Sequence, residues 1–152
     1  MELSVFVEVK KPLEGVWKAI IDFKNCSNYM ESIIKLEIIE QPEDTLVGFK
    51  WKETRVMFGK EATETMWITE YIENEYYQTR AESHGSIYIS KLSLERSGQN
   101  TNLTMSFSSE ATTFFVKLIS SFMGFMIKGS MKKVINKDLA DIKNHLELHK
   151  KG

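Results

Sequence analysis

One cysteine, Cys26, is all the chain contains, which excludes an internal disulfide and fits a reducing compartment. An excess of charge of one sign is also missing. Twenty lysines and arginines stand against 21 acids, for a formal net charge of −1. That balance gives no electrostatic case for nucleic acid, whose binders concentrate basic residues on a patch. Long hydrophobic runs are absent too. The most apolar stretch, 114–127, is interrupted by Lys117, Ser120 and Ser121. It falls short of the roughly 20 apolar residues that cross a bilayer, so stable membrane insertion is not expected. The opening Met1-Glu2-Leu3-Ser4-Val5 has neither the basic start nor the apolar core of a signal peptide, and the expected location is cytoplasmic. With no linker, repeat or low-complexity segment, residues 1–152 read as one domain, long enough to bury a real core.

Catalytic and metal motifs are equally scarce. His84 sits in a turn-like segment, and His145 and His149 stand one helical turn apart near the chain end. At an exposed chain end the pair is weak evidence for a metal site, and surface decoration is the favoured reading. Cys26 has no base near it in sequence and reads as packing rather than as a nucleophile. No cofactor is expected.

What is present is periodicity. Leu3, Val5, Val7 and Val9 alternate with Ser4, Phe6, Glu8 and Lys10, the period of a strand. Pro12 stops that strand and suits a first helical turn. Val16, Trp17, Ile20 and Ile21 then recur at helical spacing, predicting a short helix over 13–22 and a weaker second one over 27–31. Strands are predicted over 33–40, 47–57, 61–72, 76–84, 86–96 and 101–109. The separators between them, such as Phe58-Gly59-Lys60 and Ser97-Gly98-Gln99-Asn100, are short and turn-like, favouring an antiparallel meander. From Glu110 to about His149 the period is helical, with Ile135, Leu139, Ile142 and Leu146 on one face. At about 1.5 Å per residue a straight helix of that length exceeds roughly 50 Å, so a kink or break is expected near Gly124 or Gly129.

The order of strand, two short helices, six strands and long helix, together with particular residues, resembles the Bet v 1-like superfamily, which contains START lipid-transfer domains and polyketide cyclases. Val9-Lys10-Lys11-Pro12-Leu13-Glu14-Gly15-Val16-Trp17 is similar to that group's first strand and Pro-x-x-x-Val-Trp helix. Gly48, Trp51, Gly59 and Ile68-Thr69-Glu70-Tyr71 fall where it places middle strands. Asp138-Leu139-x-x-Ile142-Lys143-x-x-Leu146-Glu147 is similar to the close of its last helix. The resemblance implies an α+β helix-grip fold, with a curved antiparallel sheet of six or seven strands wrapped around the C-terminal helix and a cavity between them. It carries over no catalytic residue, and fold alone does not assign function.

Strand alternation sorts the side chains between water and that interior. Along 49–57, Lys50 and Lys52 point outward, which turns Phe49, Trp51, Glu53, Arg55 and Met57 inward. On the next strand Ala62, Glu64, Met66 and Ile68 face in, at the cost of an exposed Trp67. A hairpin at Gly59-Lys60 would bring Arg55 near Glu64. Further inward rows are Tyr77, Thr79, Ala81 and Ser83, then Tyr88, Ser90, Leu92 and Leu94, then Leu103, Met105 and Phe107. The expected ligand-contacting set is Trp51, Glu53, Arg55, Glu64, Tyr77, Tyr88, Met105 and Phe107 on the sheet, with Phe122 and Met126 on the helix. Apolar walls with a few polar groups are the composition of a small-molecule pocket, and methionine adds adaptability. The plainer reading stands beside it: Arg55 with Glu53 or Glu64 forms a structural ion pair, and the aromatic and Met rows are core.

Three functions follow. The leading one is binding or carriage of a small hydrophobic molecule, lipid-like or aromatic and polyketide-like. The second is a cyclase or aromatase type of enzyme, with Glu53, Glu64 or Tyr77 as acid or base and Arg55 holding an oxygen. The third is an interaction module using 114–127 against a partner or in a homodimer.

Overall fold

The computed structural model describes residues 2–57, 59–83, 85–111 and 114–148, with only the backbone described over 114–127. Its elements in chain order are β1 (Glu2–Val9), α1 (Leu13–Ile20), a single 3-10 turn (Cys26–Asn28), β2 (Ile33–Glu40), β3 (Lys50–Met57), β4 (Lys60–Ile72), β5 (Tyr76–Ser83), β6 (Ser86–Ser97), β7 (Asn100–Ala111) and α2 (Phe114–Leu148).

All seven strands form one antiparallel sheet in the order β1-β7-β6-β5-β4-β3-β2. From β3 to β7 each strand pairs with the one before it, as the short separators imply. The last hairpin pairs Ser97 with Asn100 around Gly98 at φ +64°, a conformation glycine adopts without steric cost. Asn74 takes the same left-handed region at φ +65° between β4 and β5, where asparagine is the best-tolerated alternative. Bulges interrupt the β2–β3 ladder at two places and the β4–β5 ladder at one, and bulges bend a sheet and sharpen its twist.

Pro12 caps α1 rather than entering it. Its carbonyl accepts the first helical hydrogen bond from Val16 N at 3.1 Å, and its missing N–H is no loss at that position. The second short helix is reduced to the 3-10 turn.

The helix α2 runs unbroken for 35 residues through both Gly124 and Gly129, so the expected break is not there. Glycine weakens a helix by about 1 kcal/mol but, unlike proline, leaves the hydrogen-bond ladder intact. A Cβ at Gly129 would meet nothing within 4 Å, so no close packing forces a bend there. The C-terminal half of α2 packs on β1 and β7. Ile135, Leu139 and Ile142 join Val5, Val9, Val16, Trp17, Leu92, Leu94 and Leu103 in the main core. A smaller aromatic core joins Phe23, Phe49, Trp51 and Ile68. Trp67 faces outward as expected, partly covered by its cross-strand partner Lys50, whose Nζ lies 5.9 Å from the ring centroid.

Candidate functional site

Between the sheet's inner face, the C-terminal half of α2 and the segment joining α1 to β2 lies a cavity of about 400 Å³. Alternation places its sheet walls. Trp51, Glu53, Arg55 and Met57 come from β3, and Ala62, Glu64 and Met66 from β4. Tyr77, Thr79 and Ala81 follow on β5, Tyr88 and Leu92 on β6, and Met105 and Phe107 on β7. Every described residue of the expected ligand-contacting set therefore lines this space. The side chains of Phe122 and Met126 lie outside the described residues, as does the proposed interaction surface over 114–127.

One end of the wall is polar. Arg55 Nε donates to Glu53 Oε2 at 2.9 Å, and Arg55 Nη1 donates to Asp138 Oδ2 at 3.0 Å. Trp51 Nε1 adds a longer bond to Glu53 Oε1 at 3.3 Å. Glu53 and Asp138 are only 7% and 4% exposed. Burial on its own would strip charge from the guanidinium, but the two carboxylates outweigh it and hold Arg55 above its ordinary range. At Asp138 the balance falls the other way. Burial raises its carboxyl above the ordinary value against the pull of Arg55, and its buried Oδ1 has no hydrogen-bond partner among the described residues.

The hairpin register makes the expected approach of Arg55 to Glu64 a diagonal one rather than a direct pair. Arg55 stands opposite Ala62, and Glu64 stands opposite Glu53. Two carboxylates face each other across the ladder, and like charges so placed repel. Arg55 therefore bonds Glu53 on its own strand and Asp138 on the helix. No side chain among the described residues pairs with the Glu64 carboxylate.

Several wall residues have no counterpart in the expectations. Phe23, Cys26, Tyr29 and Met30 close the cavity from the segment after α1. Phe23 stacks on Trp51 with centroids 4.6 Å apart and meets Tyr77 edge-on at 5.3 Å. Burial pushes the Cys26 thiol up to about 12 and raises the phenols of Tyr29 and Tyr77 well above their ordinary range. These groups are neutral at physiological pH, hydrogen-bonding walls rather than nucleophiles. Asp138 is the most consequential omission. It lies three residues after Ile135 and four before Ile142, so an acid on the apolar stripe was the available signal.

The segment is fastened to α2 from outside. Glu31 N donates to Asp141 Oδ2 at 3.0 Å, and Lys137 Nζ bridges Asp141 at 2.7 Å and Glu31 at 2.9 Å. Tyr29 stacks on His145 at 4.0 Å, and among the described residues no cluster of three or more potential metal ligands occurs. No helix among them is long and apolar enough to cross a membrane.

Solved structures with this architecture come from several bacteria. The START superfamily protein of Mycobacterium smegmatis superposes with a TM-score of 0.82 at 16% identity, covering 97% of each chain. TTHA0849 of Thermus thermophilus gives 0.82 at 12% identity over 99% of each chain. The ZhuI aromatase/cyclase of Streptomyces sp. R1128 gives 0.76 at 14%, covering 97% of this chain and 93% of that one. Such identities speak for the shared fold alone, which is the helix-grip architecture the resemblance implies. No curated protein sequence matches the chain. The family described as polyketide cyclase/dehydrase and lipid transport matches residues 1–147, nearly the full length, and the chain belongs to that family.

Proposed function

We propose that this protein binds and carries a small, largely apolar molecule in the cavity between the sheet and α2. The observation that carries the reading is the cavity itself, about 400 Å³, within the usual range of small-molecule sites. Left dry, a void of that size would cost on the order of 10 kcal/mol at about 24 cal/mol per Å³. That equals the whole stability of an ordinary domain, about 5–15 kcal/mol, so in solution the space holds water or a ligand. Its walls are mostly apolar and aromatic, which favours the ligand. Trp51, Tyr77, Tyr88, Met105 and Phe107 would supply contact area, and Glu53, Arg55, Glu64 and Asp138 would orient its polar end. The family embraces both lipid transport and cyclase chemistry.

A second reading, a cyclase or aromatase type of enzyme, has one observation in its favour: a buried guanidinium flanked by two carboxyls at the cavity wall. Arg55 would then hold a developing enolate oxygen, and Asp138 or Glu53 would move a proton.

Native mass spectrometry of protein purified from cells, followed by denaturing extraction, tests the first reading. A stoichiometric small apolar molecule is the expected result. Protein that arrives bare and takes up no apolar probe would overturn it. Turnover of an identified ligand, abolished in Arg55→Ala, would move the assignment to the enzyme.

A further inference from the structure

Among the described residues the charged side chains that line the cavity are Glu53, Arg55, Glu64 and Asp138. Three of them form one cluster, in which Arg55 bonds both Glu53 and Asp138. Glu64 stands apart. It is partly buried on β4, on the inward row between Ala62 and Met66, and its carboxylate has no hydrogen bond or ion pair among the described residues. Directly across the ladder stands Glu53, a neighbour of the same charge that repels it. Arg55 is only diagonal to it, opposite Ala62, and directs Nε and Nη1 to Glu53 and Asp138 instead. One cation against three acids leaves this wall negative, and it stays negative even when Asp138 holds a proton.

We propose that the cavity takes apolar molecules whose polar end is a protonated amine, seated on the Glu64 carboxylate, in preference to the matching carboxylates. The proposal rests on the apolar-carrier reading above and adds to it the sign of the ligand's charge. An ammonium is a compact cation with three donors and no acceptor, the complement of a carboxylate that only accepts. Beside Glu64 it also offsets the repulsion from Glu53. A ligand carboxylate meets the opposite situation. The guanidinium on the wall is engaged by two acids, so it is no free cation waiting for an anion. The anion would enter beside three carboxyl groups in a space of low polarity, where repulsion is weakly screened. A neutral hydroxyl can donate to Glu64 but brings no charge to balance it, and ranks between the two. Selectivity of this kind comes from rejecting the anion as much as from holding the cation.

The test uses three probes with one ring system: naphthylmethylamine, naphthylmethanol and naphthoate, which at neutral pH are a cation, a neutral molecule and an anion. Binding to the full chain is measured by calorimetry. The amine is expected to bind about tenfold or more tightly than naphthoate, a difference of about 1.4 kcal/mol, with the alcohol between them. Glu64→Gln removes the charge and keeps the shape, and has no bond to break, so it should fold as the wild type does in urea denaturation. In this variant the amine-to-naphthoate ratio is expected to fall to a few-fold. Glu61→Gln changes the net charge equally on the exposed side of the same strand and is expected to leave the ratio as it was. Equal affinities for amine and naphthoate in the wild type, or a preference for naphthoate, would overturn the proposal and leave the carrier reading standing. An unchanged ratio in Glu64→Gln, or an equal fall in Glu61→Gln, would overturn the seat on Glu64. If none of the three binds, the carrier reading fails and the proposal falls with it.

Discussion

Arg55 Nη1 and Asp138 Oδ2 meet at 3.0 Å across 83 positions of sequence, joining the third strand of the sheet to the helix it grips. The bond lies at the cavity wall, so one contact serves architecture and site together. Arg55 is also held by Glu53, whose carboxylate accepts from Nε at 2.9 Å.

Removing the guanidinium leaves two buried carboxyls without their cation. Arg55→Ala is expected to lower stability by about 3–5 kcal/mol, measured by urea denaturation. Arg55→Lys should cost less, since it keeps the charge and loses the fork that reaches two acids at once. A loss below about 0.5 kcal/mol for the alanine variant would mean that the pair contributes nothing to holding α2 on the sheet.

Acid titration provides a separate check on Asp138. Its folded carboxyl sits above the ordinary value of 3.8, so between that value and its raised one the folded state holds a proton the unfolded chain has released. Stability must therefore fall as pH rises through that window and level off above it. Asp138→Asn lacks this titration. The stability of the wild type relative to that variant is expected to decline with rising pH over the window. A difference that stays flat, or grows with pH, would contradict the assigned direction.

Cys26 should be nearly unreactive in the folded protein. With its thiol pushed from 9.0 up to about 12, the thiolate fraction at mildly alkaline pH drops about a thousandfold against an unperturbed cysteine. Disulfide-exchange reagents should therefore label native protein far more slowly than protein unfolded in urea. Comparable rates in the two states would place the sulfur in open solvent.

Truncations on the two sides of α2's contacts should cost unequal amounts. Leu139 is 1% exposed within the main core, and Leu139→Ala is expected to cost about 2–5 kcal/mol by leaving a new void. Met105 borders space that is already open, so Met105→Ala should cost about 1 kcal/mol, because fewer partner atoms are lost. Equal losses in matched denaturation curves would argue that the cavity is closed and packed in solution.

Much of the molecule was legible in the residues themselves because strand and helix write their periods locally. The row Trp51, Glu53, Arg55 and Met57 could be turned inward from the lysines alternating with it, and the structure puts all four on the cavity wall. The hairpin glycines marked the turns because their backbone angles exclude most other residues. Pairing was harder to read. A diagonal neighbour on the adjoining strand looked as good a partner for Arg55 as one on its own strand. The ladder settled the matter by setting Glu64 against Glu53. The helix break expected from length did not occur, since glycine permits a bend without imposing one.

The sequence by itself determined the order of elements, which face of each strand turns inward, and the apolar and aromatic character of the interior. Those follow from interactions over a few residues. Only the tertiary structure decided that Asp138 completes the Arg55 cluster, that Phe23, Cys26, Tyr29 and Met30 close the cavity, and how large the cavity is. Each of these depends on where α2 lies against the sheet, and that position is set by packing between residues more than a hundred apart, such as Val9 and Leu139 in the main core. No local period records such a distance.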